Sequence, residues 1–235
     1  MNLIIFELKG QIGHFRRPDT MGTQATYPFM TRTALRGLVA SILGLEMLPQ
    51  EASCGLRLLS PVRTVAQEMS MHGKTWVSGG DEKSFHRPTA IELVVKPHYR
   101  IYYDGPLADE LSEYLRNGQS YYHTYLGSAF CLTFPKWVGA VPPVKLKNLR
   151  EDEPLTCVSV VPSVAVKHLL AQEDEQYARV GGVLWEYLGD RRFRGTVSFL
   201  YEVNGKALRF FPAIQKVDVF WHFYQIPNEG TVCLW

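Results

Sequence analysis

Six consecutive residues, Gly13-His14-Phe15-Arg16-Arg17-Pro18, set an aromatic ring between hydrogen-bonding and cationic side chains. Single-stranded RNA is held by that combination, because an unstacked base needs a flat face and its backbone needs positive charge. The local charge is lopsided: between residues 8 and 45 stand Lys9, Arg16, Arg17, Arg32 and Arg36 against Asp19 alone. Over the whole chain 25 Lys and Arg oppose 23 Asp and Glu, a net +2, so it is distribution and not total charge that points to a polyanion. The competing reading is a solvated basic loop whose Phe15 tucks into the core. Residue types alone leave both open.

Other chemistries leave less trace. There is no GxxxxGK[ST] loop for a nucleotide, and Gly10 to Gly13 lacks the rest of a dinucleotide fingerprint. No HExxH and no clustered Cys and His suggest a metal, and no cofactor is implied. Glu173-Asp174-Glu175 reads as a solvated acidic run, and Arg191-Arg192-Phe193-Arg194 as a solvent-facing turn that could also meet RNA or an acidic partner. Seven histidines offer acid-base candidates, of which His14 and the pair Lys167-His168 stand beside cationic or strand-end positions. The bland alternatives are a hydrogen-bonding contact for His14 and surface residues for the pair.

The elements that must position the basic loop follow from periodicity. Residues 2–8 are a short apolar run of β-formers, a buried strand, and residues 10–30 form a long shaped loop with three glycines and two prolines. Thr31 or Thr33 caps a helix running to about Leu45, with Leu35, Leu38, Val39 and Ile42 on its apolar face. Thr33, Gly37, Ala40 and Gly44 share a second face almost without bulk, beside Arg32 and Arg36, and the helix N-terminus adds free N–H groups where a phosphate can sit. On the bland reading the two arginines solubilise the helix and the glycines admit a strand. The pattern from Gly55 to Asp104 is extended, a long hairpin with its tip at Gly73 to Arg87, and Leu107 to Leu115 reads as a short helix ended by Asn117-Gly118. The remainder reads as β: Thr156 to Val166, Thr196 to Val203 and Ala207 to Phe211 joined as a hairpin across Asn204-Gly205, Val217 to Tyr224, and Thr231 to Leu234.

Length and composition bound the class. The chain has 235 residues, 46% hydrophobic, 20% charged and 12% aromatic, enough for a real core and one to two domains. Cys54, Cys131, Cys157 and Cys233 are scattered, with neither zinc spacing nor the density of a disulfide scaffold, which reads as a reduced, cytoplasmic protein. Asn2 and the strand after Met1 lack the pattern of a signal peptide. No apolar stretch reaches the roughly 18 residues that span a bilayer, so no membrane partner is expected.

The run Gly13 to Thr20, then Thr26-Tyr27-Pro28-Phe29, then Thr33-Ala34-Leu35-Arg36-Gly37-Leu38 and Ile42-Leu43-Gly44 resembles the N-terminal signature of the CRISPR-associated Cas-five family of the RAMP superfamily. His123-Thr124-Tyr125-Leu126-Gly127 is similar to its second landmark, a Tyr-Leu-Gly segment, so the resemblance covers about the first 130 residues. It implies an α+β chain: an RRM-like ferredoxin fold over residues 1–140 with a protruding hairpin, the thumb, at about 68–98, and a β-rich part over 141–235. It also implies a subunit of a type I Cascade, of the I-B kind, that holds the 5′ handle of CRISPR RNA and caps a filament of backbone subunits for antiviral defence. A transposon-linked context has the same signature.

On that resemblance the RNA contacts would be His14, Phe15, Arg16, Arg17, Tyr27, Arg32, Arg36 and Tyr125. The thumb would meet the RNA and the adjacent subunit through Met71, His72, Lys74, Trp76, His86 and Arg87, with Phe85 beside them. The partners implied are CRISPR RNA, a backbone subunit and a large subunit, with target DNA reached indirectly through guide pairing. Some family members cut repeat RNA using a Tyr after the first helix and a Lys-His pair before the Tyr-Leu-Gly landmark. Here the helix runs into Leu45-Glu46-Met47, and Leu107 to Ser120 contains neither His nor Lys. The expectation is therefore a noncatalytic subunit with no catalytic residue, the alternative being a metal-independent endoribonuclease using His14 or Lys167-His168.

Overall fold

The apolar run near the N-terminus is buried on both faces because it lies in the middle of a sheet. A computed structural model describes residues 2–20, 22–72, 86–213 and 220–235. Its first part contains β1 (Leu3–Lys9), β2 (Ile12–Gly13), α1 (Arg32–Leu43), β3 (Ser53–Leu58), β4 (Thr64–His72), β5 (His86–Val95), β6 (His98–Asp104), α2 (Ala108–Arg116) and β7 (Lys136–Val141). Then follow β8 (Val144–Lys145), β9 (Leu155–Cys157), β10 (Val161–Pro162), β11 (Val166–Leu169), β12 (Tyr177–Tyr187), β13 (Phe193–Glu202), β14 (Leu208–Pro212), β15 (His222–Ile226) and β16 (Gly230–Leu234). The protein is sheet-rich with few helices, and no helix among the described residues is long and apolar enough to cross a membrane.

The first sheet has the order β3-β6-β1-β7, antiparallel throughout. Ile4, Phe6 and Leu8 stand opposite Tyr103, Ile101 and Tyr99, which in turn stand opposite Cys54, Leu56 and Leu58. Alternation sends all nine to one face, where they form one core with Leu35, Val39 and Ile42 of α1 and Leu111 and Leu115 of α2. The other face is covered too. Leu3, Ile5 and Tyr102 pack against Tyr224, Ile226, Val232 and Leu234 of the β15–β16 hairpin. Further along that face, Arg100 bridges Glu7 and Glu229, Arg57 joins Glu229 at 3.1 Å, and His98 meets Glu7 at 2.9 Å.

Helix α1 is capped by Thr31, whose hydroxyl accepts from the Ala34 amide at 3.4 Å, and its last helical residue is Leu43, two residues before the expected end, with Gly44 as the C-cap. Helix α2 ends on Asn117, as its Asn-Gly signal predicts. Strands β4 and β5 form an antiparallel hairpin in register from Thr64↔Val94 to His72↔His86. The tip, with Lys74, Trp76 and Phe85, lies outside the described residues.

The second half departs from the expected strand plan. Thr156 to Val166 is not one strand: it breaks into β9, β10 and a turn at 163–165 before β11, since Pro162 has no amide to continue a ladder. Nor does Asn204-Gly205 close a hairpin. β13 pairs with β10 and β12, whereas β14 pairs with β9 and β11, so the turn passes the chain from one sheet to another. Glu202 causes this: its buried carboxylate accepts from the amides of Gln176, Asn204 and Lys206 at 3.1, 2.8 and 2.8 Å, winding the chain around itself. Strand β12 was not expected; it carries a bulge at Gly181-Gly182, where the register with β13 shifts. Strand β15 begins at His222; residues 214–219 lie outside the described part.

Burial opposes the charge on Glu202, but its amide donors outweigh that and hold the carboxyl below its usual value of 4.5. A depressed acid stabilises the fold above the unfolded-state value, and that contribution is lost as pH falls through the folded-state value. Urea midpoints of Glu202→Gln between pH 7 and pH 3 should therefore lie below wild type at neutral pH and converge with it in acid.

Candidate nucleic-acid interface

A cleft of about 920 Å³ opens beside α1. One wall is the basic loop at His14 to Arg16, another the α1 face of Arg32, Thr33, Arg36, Gly37 and Ala40, and a third the tip of the β12–β13 hairpin with Trp185, Tyr187, Phe193 and Arg194. Thr33, Gly37 and Ala40 of the bare face expected from spacing look into this space, whereas Gly44 is covered by the Tyr121 ring, 2.6 Å from where its Cβ would stand. A methyl group added at Gly37 would meet no atom within 4 Å.

The loop is shaped by its own hydrogen bonds. The amide of Tyr27 donates to the Phe15 carbonyl at 2.8 Å, that of Arg17 to Ala25 at 2.9 Å, and that of Phe15 to the Thr26 hydroxyl at 2.9 Å. Gln24 and Glu92 then pin the arm to β5. This arrangement corrects the expected role of two rings. Phe15 is 3% exposed and packs 6.3 Å from the Tyr99 ring, and Tyr27 is 5% exposed with its hydroxyl donating to Gly182 O at 2.7 Å. Burying such rings stabilises the fold by roughly 1.5–3 kcal/mol each, so they anchor the loop and offer no face to a base.

The cations divide by their partners. Arg16 is exposed at the cleft and pairs with no group among the described residues, whereas Arg17 is half-buried and ion-paired to Asp19 at 2.8 Å, 5.7 Å from the Tyr27 ring. Arg32 lies 4.0 Å over the Trp185 ring and donates to the Trp185 carbonyl at 2.7 Å. Burial lowers its pKa to about 10, which still leaves it charged at neutral pH, and its Nε–H is buried without a partner. Arg36 donates to the carbonyls of Ala52, Leu48 and Pro49, tying down the chain after α1. The first turn of α1 contains no acidic residue, so its partial positive charge is offset only by the Thr31 cap.

His14 is buried, with Nδ1 donating to Glu92 O at 2.8 Å. Its Nε2 is buried and has no partner among the described residues. The two sequence landmarks touch here: the His14 amide donates to Leu126 O at 2.9 Å, and Gly127 has φ +88°. A Cβ on Gly127 would fall 2.1 Å from His14 O. Tyr125 is 44% exposed and lies outside the cleft lining.

The remaining candidates are dispersed. Met71, His72, His86 and Arg87 stand near the far end of the β4–β5 hairpin, Met71 opposite Arg87, while Lys74 and Trp76 fall outside the described residues. Lys167 pairs with Glu151 on β11, where His168 is its exposed neighbour. Arg192 and Arg194 pair with Asp190 and Glu186 at 3.4 and 2.6 Å. All four cysteines are buried and free, and burial pushes the Cys54, Cys131 and Cys157 thiols up to about 11. Among the described residues no three metal-ligating side chains cluster. Sequence reasoning had Phe193 and Arg194 in a cluster that could meet RNA but missed Trp185 and Tyr187 in the same wall; their signal was the alternation of rings along Leu184 to Tyr187 next to that cluster.

The chain's fold has known counterparts among solved CRISPR-associated structures. Its fold is similar to that of a CRISPR protein from Archaeoglobus fulgidus (TM-score 0.56, 11% identity, 99% of each chain covered). It is also similar to a chain of a CRISPR RNA-guided surveillance complex (TM-score 0.50, 16% identity, 90% of this chain and 91% of that one). No curated protein matches the sequence. The family model described as CRISPR-associated protein (Cas_Cas5) matches residues 3–192, and the chain belongs to that family.

Arg36→Ala should free the carbonyls of 48–52. Hydrogen exchange is expected to accelerate in that segment while amides of β1 stay protected, a pattern that a purely RNA-facing arginine would not produce. Gly127→Ala, strained at positive φ and clashing with His14 O, should cost about 1–3 kcal/mol in denaturant unfolding. Gly37→Ala should leave stability unchanged or raise it by up to about 1 kcal/mol.

Proposed function

We propose that this chain is a noncatalytic CRISPR RNA-binding subunit of a type I Cascade, of the I-B kind, that holds the 5′ handle and caps the backbone filament for RNA-guided DNA targeting in antiviral defence. The observation that carries the proposal is the cleft beside α1. It combines a helix N-terminus with no acidic residue in its first turn, Arg16 without a partner among the described residues, the half-buried cation Arg32 and the bare surface at Gly37, where a sugar-phosphate chain can approach backbone. Family membership supports the assignment to a CRISPR effector complex.

Finer parts of the reading rest on the same ground. The order β3-β6-β1-β7 with α1 after β1 and α2 after β6 supports an RRM-like ferredoxin core within residues 1–140, and the strands from β8 onward support a β-rich part over 141–235. The β4–β5 hairpin is the candidate thumb, reaching a backbone subunit, and a large subunit completes the assembly. Target DNA is met through guide pairing and not by this chain. With both faces of the first sheet covered, RNA is left the cleft and not an open sheet surface.

One observation favours the endoribonuclease alternative: His14, an acid-base side chain, lines the cleft with its Nε2 unpartnered among the described residues. Labelled repeat RNA tests both. The noncatalytic reading expects tight binding without cleavage in EDTA. It also expects Arg16→Ala to weaken binding and reduce the slope of log K against log salt by about 0.7, the signature of one lost phosphate contact on a single strand. A discrete product that disappears in His14→Ala would overturn it. An unchanged salt slope would remove Arg16 from the site.

A further inference from the structure

Residues 121–134 carry an exposed set of rings that the cleft does not use. Tyr121, Tyr122, Tyr125, Phe130 and Phe134 are 63%, 56%, 44%, 46% and 79% exposed. They are held in one compact loop, since Tyr125 bridges Leu132, the Leu126 amide donates to Cys131 O at 2.8 Å and that of Thr133 to Thr124 O at 3.1 Å. Exposing this much ring surface in one loop marks a contact site, because large apolar side chains are otherwise withdrawn from water.

Two observations say what covers it. From Tyr114 to Arg150 the sequence has no Asp or Glu, while Arg116, His123 and Lys136 are exposed in or beside the loop. Rings beside Arg116 and Lys136, in a stretch of chain without acidic residues, suit a single-stranded polynucleotide, whose bases stack without regard to sequence. The loop also adjoins the cleft. Gly127 and Ser128 line it, and the amides of Tyr121 and Tyr122 donate to Ile42 and Ser41 of α1 at 3.0 Å, just past the cleft residue Ala40.

We propose that the RNA strand held in the cleft continues over this loop, its bases stacking on Tyr122, Tyr125 and Phe134. The inference rests on the reading of the cleft as an RNA site. Stacking contributes affinity without displacing counterions, so its loss has a different signature from the loss of a cation.

Repeat RNA labelled with 2-aminopurine at successive positions, bound to the full chain, provides the test. Tyr125→Ala and Phe134→Ala should each weaken binding about tenfold with the salt slope unchanged. They should also release the fluorescence quenching of particular 2-aminopurine positions, and Tyr125→Phe and Phe134→Trp should restore both. Matching thermal melts show that the variants fold. Unchanged RNA affinity in the ring variants, while Arg16→Ala still weakens binding, overturns this proposal and leaves the cleft reading standing; indifference of the RNA to both sets removes the two together. Ring variants that keep full RNA affinity but lose co-purification with the neighbouring Cascade subunits make the loop a protein interface, and the proposal is again overturned.

Discussion

The constraint that shapes the basic loop of the candidate site is the approach of the His14 carbonyl to Gly127, which leaves no room for a side chain. It joins the basic loop after β1 to the loop before β7, two segments more than a hundred residues apart, and the His14 amide secures it by donating to Leu126 O. With the backbone held there, Phe15 is directed inward against Tyr99 while Arg16 remains at the cleft, so one short run supplies both an anchor and a free cation. The loop is about 20 residues long yet has little freedom, because β5 and its own cross-bonds use up its backbone amides.

The C-terminal half decides which surface remains available. By laying β15 and β16 over the first sheet, it withdraws Leu3, Ile5 and Tyr102 from water, and its Glu229 pairs with both Arg57 and Arg100, the latter also held by Glu7. Burial raises the cost of charge on Glu7, but Arg100 and His98 offset it and hold the Glu7 carboxyl below the usual range. Those cations are thus spent inside the fold. The same half contributes the β12–β13 hairpin, whose Trp185 carries Arg32 on its ring. A cation stacked and bonded in this way loses little further freedom when an anion arrives, which is the physical meaning of a preorganised site.

Taken by itself, the sequence determined the elements with local causes. β1, α1 with a threonine cap, α2 ending at Asn117, the β4–β5 hairpin and the low-bulk face of α1 at Thr33, Gly37 and Ala40 all follow from periodicity, capping and turn chemistry, which act within a few residues. The excess of cations before residue 45 and the family motifs were equally legible, since charge and spacing are properties of the chain. What the tertiary structure decided was every choice that depends on distant partners. Phe15 and Tyr27 face the core because Tyr99 and Gly182 receive them; Arg36 serves carbonyls at 48–52; the turn at Asn204-Gly205 changes sheets because Glu202 collects amides from two segments. A ring or a guanidinium has the same sequence signal whether it meets solvent, ligand or core. Only packing, which is set by residues far away in the chain, selects among them.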